Sequence, residues 1–546
     1  MNKIILLFGV LLVCSCSNTL HISTIQNNEE AFENKFITVS GIVSGDFQDK
    51  GELAGFFLQE EALFSTSGIF VHSKRKVNLG DEITITAKVI EYKNETRLDS
   101  VLSIAILSEN NAFKTQKLKF PYTTKEIEYL EGCLVTIDRD LIISDSYYFD
   151  KYGQILVSTE PLIQATEIYD AQEESSEILK HTTKQSETSI VLDDLSNKRF
   201  PNEDALYLAK KSIVLGAEIQ GVKGYVCQKN EHYSIRLVTD LEVVVLEPNI
   251  LSEVNGQVKI MSFNLHNLFN GDGLGEDFPT PRGAKTYEDY QKQVAKLASA
   301  ISFANPDIIA VMEIENDGED SLSAIFQFCT YLNSTTKRTH YQVAYSQGVA
   351  AKDVIKTGII YDASMIATTK LASYHSHSIF SRNPIFQTFV FQDSLEFVLS
   401  VNHFKSKSPR NAKGDNIDQK DGQAAFNTKR VLQSEQLLNI IDSLYSDKNL
   451  LVVGDFNAYS QEDPIQKLQV HQLVKLATQN HSYVYKGQQG NLDHSFVNNL
   501  FIEHVKETKV LDINASYPNW IDYRFENSDT SYFRSSDHNP LLIGVY

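Results

Sequence analysis

The chain has 546 residues, 42% of them hydrophobic, and a formal net charge of −20. This composition excludes a mostly disordered chain, a collagen-like fibre and a polytopic membrane protein, and the length predicts about three domains. The negative charge disfavours tight non-specific binding of the whole chain to nucleic acid, although a local basic groove is compatible with it.

Residues 1–16 are typical of an export signal. An apolar run over residues 4–13 is too short to span a bilayer, and it leads into Val13-Cys14-Ser15-Cys16, which resembles a bacterial lipobox. We therefore expect cleavage before Cys16 and a lipid on its sulfur. The mature protein would then be an exported lipoprotein that contacts the outer membrane or cell surface of a bacterium through this anchor. The alternative is an ordinary signal peptide with incidental cysteines.

Short strands separated by turn residues dominate residues 17–115. Residues 82–89 alternate strictly between apolar and polar side chains, which predicts a half-buried strand, and residues 36–43, 55–59 and 68–72 are similar. Five or so strands in under a hundred residues favour a small barrel or sandwich. Their order resembles that of OB-fold modules.

A second β-rich module is predicted over residues 120–250, with strands at 132–137, 153–158, 189–194 and 224–228. The pattern Leu-Gly-x-Glu-Ile at residues 79–83 recurs at residues 215–219, which hints at two related OB-like barrels. Residues 164–188 are polar and acidic, and we expect a surface loop with some helix there. Residues 1–256 carry 24 Lys and Arg against 38 Asp and Glu, so a spacer or interaction role is favoured over binding of single strands.

The pattern changes over residues 257–546. Apolar runs at 258–263, 308–312, 358–361 and 450–454 read as buried strands, and residues 286–303 and 422–442 have helical spacing between them. This alternation predicts an α/β domain.

Polar residues of a limited kind follow the apolar strands of this domain: Asn264, Glu313, Asn402, His403, Asp455, Asn457, Asp493, Asp537 and His538. Strand ends are where a sheet gathers ligand-binding side chains. Hard oxygen ligands without a thiolate suit Mg²⁺ or Mn²⁺, with Ca²⁺ as an alternative, rather than structural zinc. Such a set, with two histidines, is suited to splitting a phosphate ester.

The ordered motifs S-F-N, M-E-I-E-N, N-H-F-K-S, G-D-F-N-A, L-D-H and S-D-H-N-P resemble the endonuclease/exonuclease/phosphatase family, which has the deoxyribonuclease I-like fold. The resemblance covers residues 257–546. It implies a four-layer α/β sandwich behind the N-terminal all-β OB-like barrels, as in bacterial extracellular nucleases with OB-fold modules upstream.

The resemblance also implies a metal site and a water site. Asn264 and Glu313 would bind the metal ion, with Asp537 as a further metal or structural ligand. Asp455 would position or activate the attacking water, and Asn457 would hold that water or a phosphate oxygen. His266 stands where several relatives have an acidic residue or Asn, which favours one-metal chemistry.

The remaining implied roles concern the phosphate. His538 would contact the scissile phosphate while Asp493 orients it and raises its pKa, and His403 would be the second catalytic histidine. Arg382 and Lys405 would contact substrate phosphate, and Asp353 would be a partner of His403 or a substrate contact. The alternatives are purely structural roles for Asn264 and Asp493, a surface cation at Arg382 and a loop role for Asp353.

The segment 403–430 is the best candidate for a patch that follows phosphates, the alternative being a solvated loop. It has an excess of four positive charges from Lys405, Lys407, Arg410, Lys413, Lys420, Lys429 and Arg430 against Asp415, Asp418 and Asp421.

The sequence therefore favours a lipid-anchored, metal-dependent nuclease that acts on DNA, with RNA as an alternative, and indicates no obligate protein partner. A lipid or sugar phosphodiesterase or phosphatase of the same fold, sphingomyelinase-like for example, is the second hypothesis. A non-catalytic binding lipoprotein is the third. Because every catalytic candidate lies within residues 257–546, we expect that segment to fold and to keep most activity by itself.

Overall fold

The computed structural model describes residues 19–61, 66–196, 199–200, 207–229, 232–244, 250, 252–392, 395–470, 473–525 and 528–546. Cys16 and the export signal lie outside these residues. Within them, no helix combines the length and the apolar character needed to cross a membrane.

The first module is a closed five-stranded barrel with strand order β1-β2-β3-β5-β4. Its elements are α1 (Ile22–Gln26), α2 (Glu29–Phe32), β1 (Phe36–Phe47), β2 (Gly55–Glu61), β3 (Thr66–His72), β4 (Glu82–Tyr92) and β5 (Glu95–Ser108). The strict alternation predicted for residues 82–89 is confirmed, because Ile83, Ile85, Ala87 and Val89 are all buried in the barrel core. The expected OB-like barrel is therefore present.

The second module is a nine-stranded sheet. Its elements are β6 (Gln116–Lys117), α3 (Thr124–Glu128), β7 (Leu134–Thr136), β8 (Leu141–Asp145), α4 (Phe149–Tyr152), β9 (Ile155–Ser158), α5 (Ala165–Ile168), α6 (Ser175–Glu187), β10 (Ser189–Asp193), β11 (Glu218–Gln220), β12 (Lys223–Lys229), β13 (His232–Leu237) and β14 (Glu242–Val244). The expected loop at 164–188 is largely helical, since α6 alone spans thirteen residues. The absence of Gly and Pro from this stretch favours that outcome.

The two modules share a strand order. The path β8-β9-β10-β13-β12 repeats β1-β2-β3-β5-β4, including the parallel pairing of its third and fourth members. The equivalent of β4 is split into β11 and β12, which are consecutive in the chain but lie on opposite sides of this path. The nine-stranded sheet thus bends back on itself through residues 218–229, which corresponds to barrel closure with an interrupted strand.

The recurrent Leu-Gly-x-Glu-Ile pattern occupies equivalent places in the two modules. Both glycines are left-handed, with φ of +84° at Gly80 and +81° at Gly216. Gly80 N–H donates to Val43 O and Gly216 N–H donates to Ile143 O, each at 2.9 Å. Because both patterns then lead into a strand that pairs with the first strand of the shared path, β1 or β8, the structure supports the hint of an internal repeat.

The α/β domain follows. Its helices are α7 (Tyr287–Ala304), α8 (Ala324–Thr335), α9 (Asn427–Leu444) and α10 (Asp463–Val470). Its first sheet has the order β17-β19-β16-β15-β30-β29, from β15 (Val258–Leu268), β16 (Ile308–Glu315), β17 (Tyr341–Val343), β19 (Ile355–Asp362), β29 (Val505–Val510) and β30 (Leu541–Val545).

The second sheet has the order β18-β21-β22-β23-β24-β28-β25, with β20 paired to β22. Its strands are β18 (Ser346–Gln347), β20 (Ala367–Thr368), β21 (Ala372–Tyr374), β22 (Ile385–Phe391), β23 (Leu395–His403), β24 (Leu450–Asp455), β25 (Val474–Lys475) and β28 (Asp493–Val497). A separate hairpin consists of β26 (Tyr483–Tyr485) and β27 (Gln488–Gly490).

Four layers build this domain. One core lies between α7 and α8 and the first sheet, a second between the two sheets, and a third between the second sheet and α9 and α10. Thr286 starts α7 as its N-cap, because its side chain accepts a hydrogen bond from Asp289 N–H. The predicted helices at 286–303 and 422–442 and the four predicted strands are confirmed, as is the four-layer sandwich.

The second module is built into the α/β domain. Two backbone hydrogen bonds connect residues 162–164 of the module with Gln489 of the α/β domain. Gln164 N–H donates to Gln489 O and Gln489 N–H donates to Leu162 O, each at 2.8 Å. Trp520 of the α/β domain is buried in the core of the second module, 5.8 Å from the Phe149 ring. These contacts argue against the expectation that residues 257–546 fold independently, because removing the module would expose Trp520 and unpair this backbone.

Candidate active site

The two central pairs of parallel strands end at the same edge of the sandwich. β15 runs parallel to β16, and β23 runs parallel to β24. Asn264, Glu313, His403 and Asp455 lie at these ends, so one residue from each strand reaches a shared site. Asn264 Nδ2 donates to Asp455 Oδ2 at 3.2 Å and joins the two sheets there.

Glu313, His403 and Asp455 form a group that could hold a metal ion. One ligand atom from each lies within 4.8 Å of the others. His403 Nε2 is 3.8 Å from Glu313 Oε1 and 3.5 Å from Asp455 Oδ2. Of the three predicted metal ligands, only Glu313 belongs to this group. Asn264 contacts the group through its hydrogen bond to Asp455, and Asp537 lies close to Glu313.

The charges at this site favour a bound cation. Burial raises the pKa of Asp455 to about 7, and the neighbouring Asp493 adds to the effect. Burial and the Asp537 carboxylate likewise raise the pKa of Glu313. Converging carboxylates that raise each other's pKa would be neutralised by a divalent ion, and their oxygens suit Mg²⁺. The residues present therefore fit a divalent metal.

Asp537, predicted as a further metal or structural ligand, lies beside two histidines. Burial opposes its ionisation, but His266 and His538 outweigh that effect and hold the pKa of Asp537 well below its usual range. His266 Nδ1 is 3.9 Å from Asp537 Oδ1 and 3.7 Å from Asp522 Oδ2. His266, which the sequence marked only as a departure from relatives, thus lies between two carboxylates at the edge of the site.

His538 lies between two carboxylates as well. Its Nδ1 is 2.7 Å from Asp493 Oδ2, and its Nε2 is 3.9 Å from Asp455 Oδ2. Asp493 is held directly opposite Asp455 in the β24–β28 ladder, and its N–H donates to Ser482 Oγ. Burial alone would lower the pKa of His538, but Asp493 and Asp455 raise it well above its ordinary value. The surroundings of His538 therefore favour its imidazolium form, and the hydrogen bond to Asp493 orients the ring.

His403 has the opposite protonation state. Burial, assisted by Arg382 and His538, lowers the pKa of His403 well below its ordinary value. Its Nδ1 is buried and makes no hydrogen bond with the residues that the structure describes. The site therefore contains one charged and one neutral imidazole, which is how acid and base roles are divided in many active sites.

Backbone strain is concentrated at the same place. His266, Asn267, Glu313 and Asn457 all have left-handed φ angles, between +50° and +59°. The β15–β16 ladder shifts register between Asn264 and Leu268, next to this strain. Such conformations cost about 1–3 kcal/mol each and persist where the surrounding structure imposes them, often at functional sites.

Arg382 and Asp353 form a charged network behind His403. Arg382 donates to His403 O at 3.2 Å and to Phe404 O, and to Asp353 Oδ2 at 3.0 Å. Asp353 also accepts from Arg282 Nη2 at 2.8 Å. Arg382 is buried, so it positions the end of β23 instead of lying free at the surface. Asp353 pairs with the two arginines, and no contact with His403 is seen among the described residues.

The basic segment 403–430 is not a uniform patch. Arg430 is fully buried and donates to the carbonyls of Ala425 and Gln423, and Lys407 pairs with the buried Glu462 at 2.5 Å. The prediction that all seven cations form a patch is therefore wrong for these two, because helix and loop packing uses their charges.

Lys405 and Lys429 remain close to the site. Burial and the Arg382 guanidinium lower the pKa of both lysines. Arg282, Arg382, Lys405 and Lys429 thus form a cation cluster near His403, in which Asp353 bridges the two arginines.

Three contacts of the site carried no signal in the sequence analysis. Asn267 Nδ2 donates to Glu313 Oε2 at 2.7 Å and fixes that carboxylate. Ser536 Oγ donates to Asn264 O at 2.7 Å, and the Tyr483 ring lies 4.7 Å from the His538 ring. The repeated Tyr and the Lys-Gly turn in Tyr483-Val484-Tyr485-Lys486-Gly487 could have marked the hairpin as a feature.

A two-sheet sandwich with carboxylates, amides and two histidines of different protonation preference at its strand ends defines a phosphoester hydrolase. The model of the endonuclease/exonuclease/phosphatase family matches residues 261–538, and the chain belongs to this family. The family is typically dependent on a divalent metal ion, in agreement with the carboxylate group described above.

Solved structures with a similar fold cover about half of the chain. The mannosyl-6-phosphatase of Bacteroides thetaiotaomicron is 15% identical, covers 53% of this chain and 100% of its own, and has a TM-score of 0.34. The human Nocturnin catalytic domain is 16% identical, with coverages of 52% and 93% and a TM-score of 0.33. D. rerio TDP2 complexed with a single-strand DNA product is 14% identical, with coverages of 52% and 97% and a TM-score of 0.33. A comparison with curated proteins gave no significant match.

Proposed function

We propose that the protein is an exported, lipid-anchored nuclease that hydrolyses the phosphodiesters of DNA, with RNA as an alternative, and that it depends on Mg²⁺ or Mn²⁺. The observation that carries the hydrolytic part is the His538 imidazolium held between Asp493 and Asp455 at the end of β24. The cation cluster Arg282, Arg382, Lys405 and Lys429 supports a substrate with more than one phosphate.

The surroundings of Asp455 and His538 suit them to different catalytic roles. Asp455, whose pKa is raised to about 7, is suited to accept a proton from the attacking water near neutral pH. Asn457 N–H donates to Asp455 Oδ1 at 2.8 Å and Asn264 holds Oδ2, so that carboxylate is fixed in one orientation. His538 would donate from Nε2 to the oxygen on which charge develops, while Asp493 keeps Nδ1 protonated.

A metal ion would be held chiefly by Glu313, and Asp455, Asp537 and the Asn264 carbonyl oxygen are the other hard donors nearby. When bound, the ion offsets phosphate charge in the transition state. His403 is a nitrogen donor and so a less suitable ligand for Mg²⁺ than for softer metals. We therefore assign His403 to the substrate, where neutral Nε2 would contact a phosphate oxygen or the attacking water.

A sugar or lipid phosphoesterase is the second candidate, since the same site chemistry cleaves those esters. The test is purified protein that lacks residues 1–16, incubated with plasmid DNA, RNA, a choline phospholipid and a sugar phosphate, with Mg²⁺ or EDTA. We expect Mg²⁺-dependent cleavage of nucleic acid that His538→Ala abolishes and the exposed His340→Ala retains. Preferential hydrolysis of the phospholipid or the sugar phosphate would refute the nuclease.

The lipid anchor is supported by the lipobox resemblance at Cys16 alone. One acyl chain binds membranes only marginally, so a stable anchor needs a multiply acylated cysteine. We expect Cys16→Ser to move the expressed protein from the membrane fraction to the soluble fraction. Retention of Cys16→Ser in the membrane fraction would refute the anchor without affecting the nuclease proposal.

A further inference from the structure

A cleft of about 740 Å³ opens between the second module and the α/β domain, next to the catalytic histidine. The α/β domain contributes His266, Asp537 and the hairpin residues 483–486 to its lining. The second module contributes residues 145–148 and Leu215. Because Asp537 precedes His538 and Tyr483 contacts the His538 ring, the cleft is continuous with the candidate active site.

The wall from the second module presents two tyrosines to solvent. Tyr147 and Tyr148 are 61% and 51% exposed, and their ring centroids lie 5.0 Å apart at 84°. Asp145 Oδ1 accepts a hydrogen bond from Tyr147 N–H at 2.8 Å, so a local turn fixes the backbone that carries the pair. Two adjacent exposed aromatic rings beside a cleft are typical of a recognition surface.

The opposite wall of the cleft adds a third exposed tyrosine and several cations. Tyr485 is 53% exposed, and the Lys486 ammonium lies 5.5 Å from its ring centroid. The cleft is lined by Lys285, Lys486, Arg524 and Arg534 against Asp145 and Asp537. Arg524 is paired with Asp522 at 2.9 Å, which leaves three cations beside the aromatic rings of an otherwise acidic protein.

We infer that this cleft binds an unpaired segment of the nucleic acid next to the scissile phosphate, with bases on the tyrosines and phosphates on the cations. The inference rests on the proposed nuclease function. Aromatic rings beside cations are the features with which proteins bind single strands without reading sequence. A duplex covers its base faces by stacking, so it cannot use these rings, and the volume lies in the range of about 300–1,000 Å³ that suits a small occupant.

The second module would therefore be part of the substrate site rather than a spacer. The aromatic platform is supplied by the loop between β8 and α4, which the sequence analysis assigned no role. The overall acidity of residues 1–256 argued against single-strand binding by the barrels, but the positive charge of the cleft comes from the α/β domain. Neither part of the chain provides the site alone.

Binding and cleavage are measured separately to test the inference. A fluorescently labelled oligothymidylate is titrated with full-length mature protein in EDTA, and anisotropy gives Kd. Variants are the double substitution Tyr147→Ala with Tyr148→Ala, and Tyr485→Ala on the opposite wall. Tyr129→Ala is the matched control, because Tyr129 is 56% exposed in the same module but does not line the cleft.

We expect Kd to rise roughly 10- to 100-fold in the double variant, and less in Tyr485→Ala, as for the loss of base–aromatic stacking. A duplex of the same length should bind more weakly than the single strand. Thermal melting verifies that each variant is folded. Kd values of both cleft variants equal to that of Tyr129→Ala, or displacement of the oligonucleotide by a neutral oligosaccharide, would overturn the inference.

Cleavage is then measured with Mg²⁺ on the same oligonucleotide. If the oligonucleotide binds tightly through the tyrosines but is not cleaved, the nuclease proposal is wrong. The cleft would still be a binding site for single strands. If the tyrosine substitutions leave the cleavage rate unchanged, the inference about the cleft is wrong and the nuclease proposal still stands. For the double variant we expect the ratio of kcat/KM for the oligonucleotide to that for a small aryl phosphodiester to fall at least tenfold.

Discussion

Single residues set the protonation states on which the proposed chemistry depends. His538 and His403 lie close to the same Asp455 carboxylate, yet burial and Arg382 lower the pKa of His403 while Asp493 and Asp455 raise the pKa of His538. The two pKa shifts differ in direction because Asp493 contacts the His538 ring, whereas Arg382 lies behind the His403 ring. Substitution of those partners should therefore change activity through pH as well as through kcat.

Asp493→Asn tests this directly. The variant keeps a hydrogen-bonding side chain beside His538 Nδ1 but removes the charge that raises its pKa. Activity that needs the imidazolium is lost as pH rises through that pKa, so the alkaline limb of the kcat/KM profile should move to lower pH. We expect kcat at pH 8 to fall by about 10²–10⁴, as for loss of a charge-stabilising group. An unchanged profile, equal to that of the exposed control Asp447→Asn, would contradict the assigned role.

The activity loss in Glu313→Ala should depend on metal concentration, because the proposed role of Glu313 is metal binding. The measurement is a titration of hydrolysis with Mg²⁺ and Mn²⁺ for Glu313→Ala and for Asp455→Ala, with thermal melts of both. Glu313→Ala should regain part of its activity at high metal concentration, since its loss is one of affinity. Asp455→Ala should lose two to four orders of magnitude in kcat with little recovery. A Glu313→Ala defect that is indifferent to metal would refute its role as the main ligand.

A buried carboxyl between the two N-terminal modules gives a prediction about stability. Glu131 Oε1 accepts from Thr96 N–H at 3.1 Å, and burial, with Glu95 and Glu128, raises the pKa of Glu131 to about 9. Stability is greatest below the unfolded pKa of about 4.5 and falls as pH rises towards 9, because only the unfolded chain releases the proton.

Glu131→Gln keeps the acceptor and removes that proton. The shift is worth on the order of 3 kcal/mol at pH 7, at 1.36 kcal/mol per unit, so the variant should melt at higher temperature than wild type at pH 8 and similarly at pH 4.5. Melting curves between pH 4.5 and 8.5, with the exposed Glu33→Gln as control, test this. A lower Tm for Glu131→Gln at pH 8 would contradict it.

At the scale of elements, the β26–β27 hairpin lies between the second module and His538. Its two turn residues, Lys486 and Gly487, both have positive φ, +51° and +79°, as a tight two-residue turn requires. A Cβ at Gly487 would meet Leu156 Cδ2 at 2.8 Å and Asp145 Cβ at 3.3 Å. The glycine is therefore needed for both its backbone conformation and its close approach to the module.

Gly487→Ala should consequently destabilise the protein by about 1–3 kcal/mol, through left-handed strain and overpacking. Gly221→Ala is the matched control, because Gly221 has φ of +77° but no atom lies within 4 Å of an added Cβ. It should show the strain without the clash. Denaturant unfolding gives both values. Equal losses in the two variants would mean that the contact with the second module does not matter.

The elements also show what sequence patterns can and cannot predict. Alternation fixed the faces of β4, and the polar residues at the ends of β15, β16 and β24 predicted a shared site, because strand ends converge by geometry. The prediction failed for Arg430 and Lys407, since a charge run does not reveal that Arg430 is buried and that Lys407 pairs with the buried Glu462. Tyr147 and Tyr483 carry no signal because their meaning depends on two segments more than 300 residues apart meeting at one cleft.

On the scale of the whole molecule, the second module and the α/β domain share a core. Glu167 of the module accepts hydrogen bonds from Ser460 and Asn491 of the α/β domain, at 3.2 Å and 3.0 Å from their backbone N–H groups. Leu215 N–H donates to Ser516 O at 2.9 Å. Together with the buried Trp520, these contacts hold the two walls of the cleft in place, because neither wall can shift without breaking hydrogen bonds across the junction.

The only tryptophan of the chain lies at this junction, so its fluorescence tests whether the two parts form one unit. Trp520 emission in the mature protein should be blue-shifted, and its loss in denaturant should coincide with that of circular dichroism if the module and the α/β domain unfold together. A fragment of residues 257–546 should emit at longer wavelength and melt at lower temperature, because Trp520 loses its place beside Phe149. Removal of only residues 17–115 is the matched control, since it leaves that contact intact. A 257–546 fragment with native emission and unchanged Tm would show that the catalytic domain stands alone, and that the second module only adjoins the cleft.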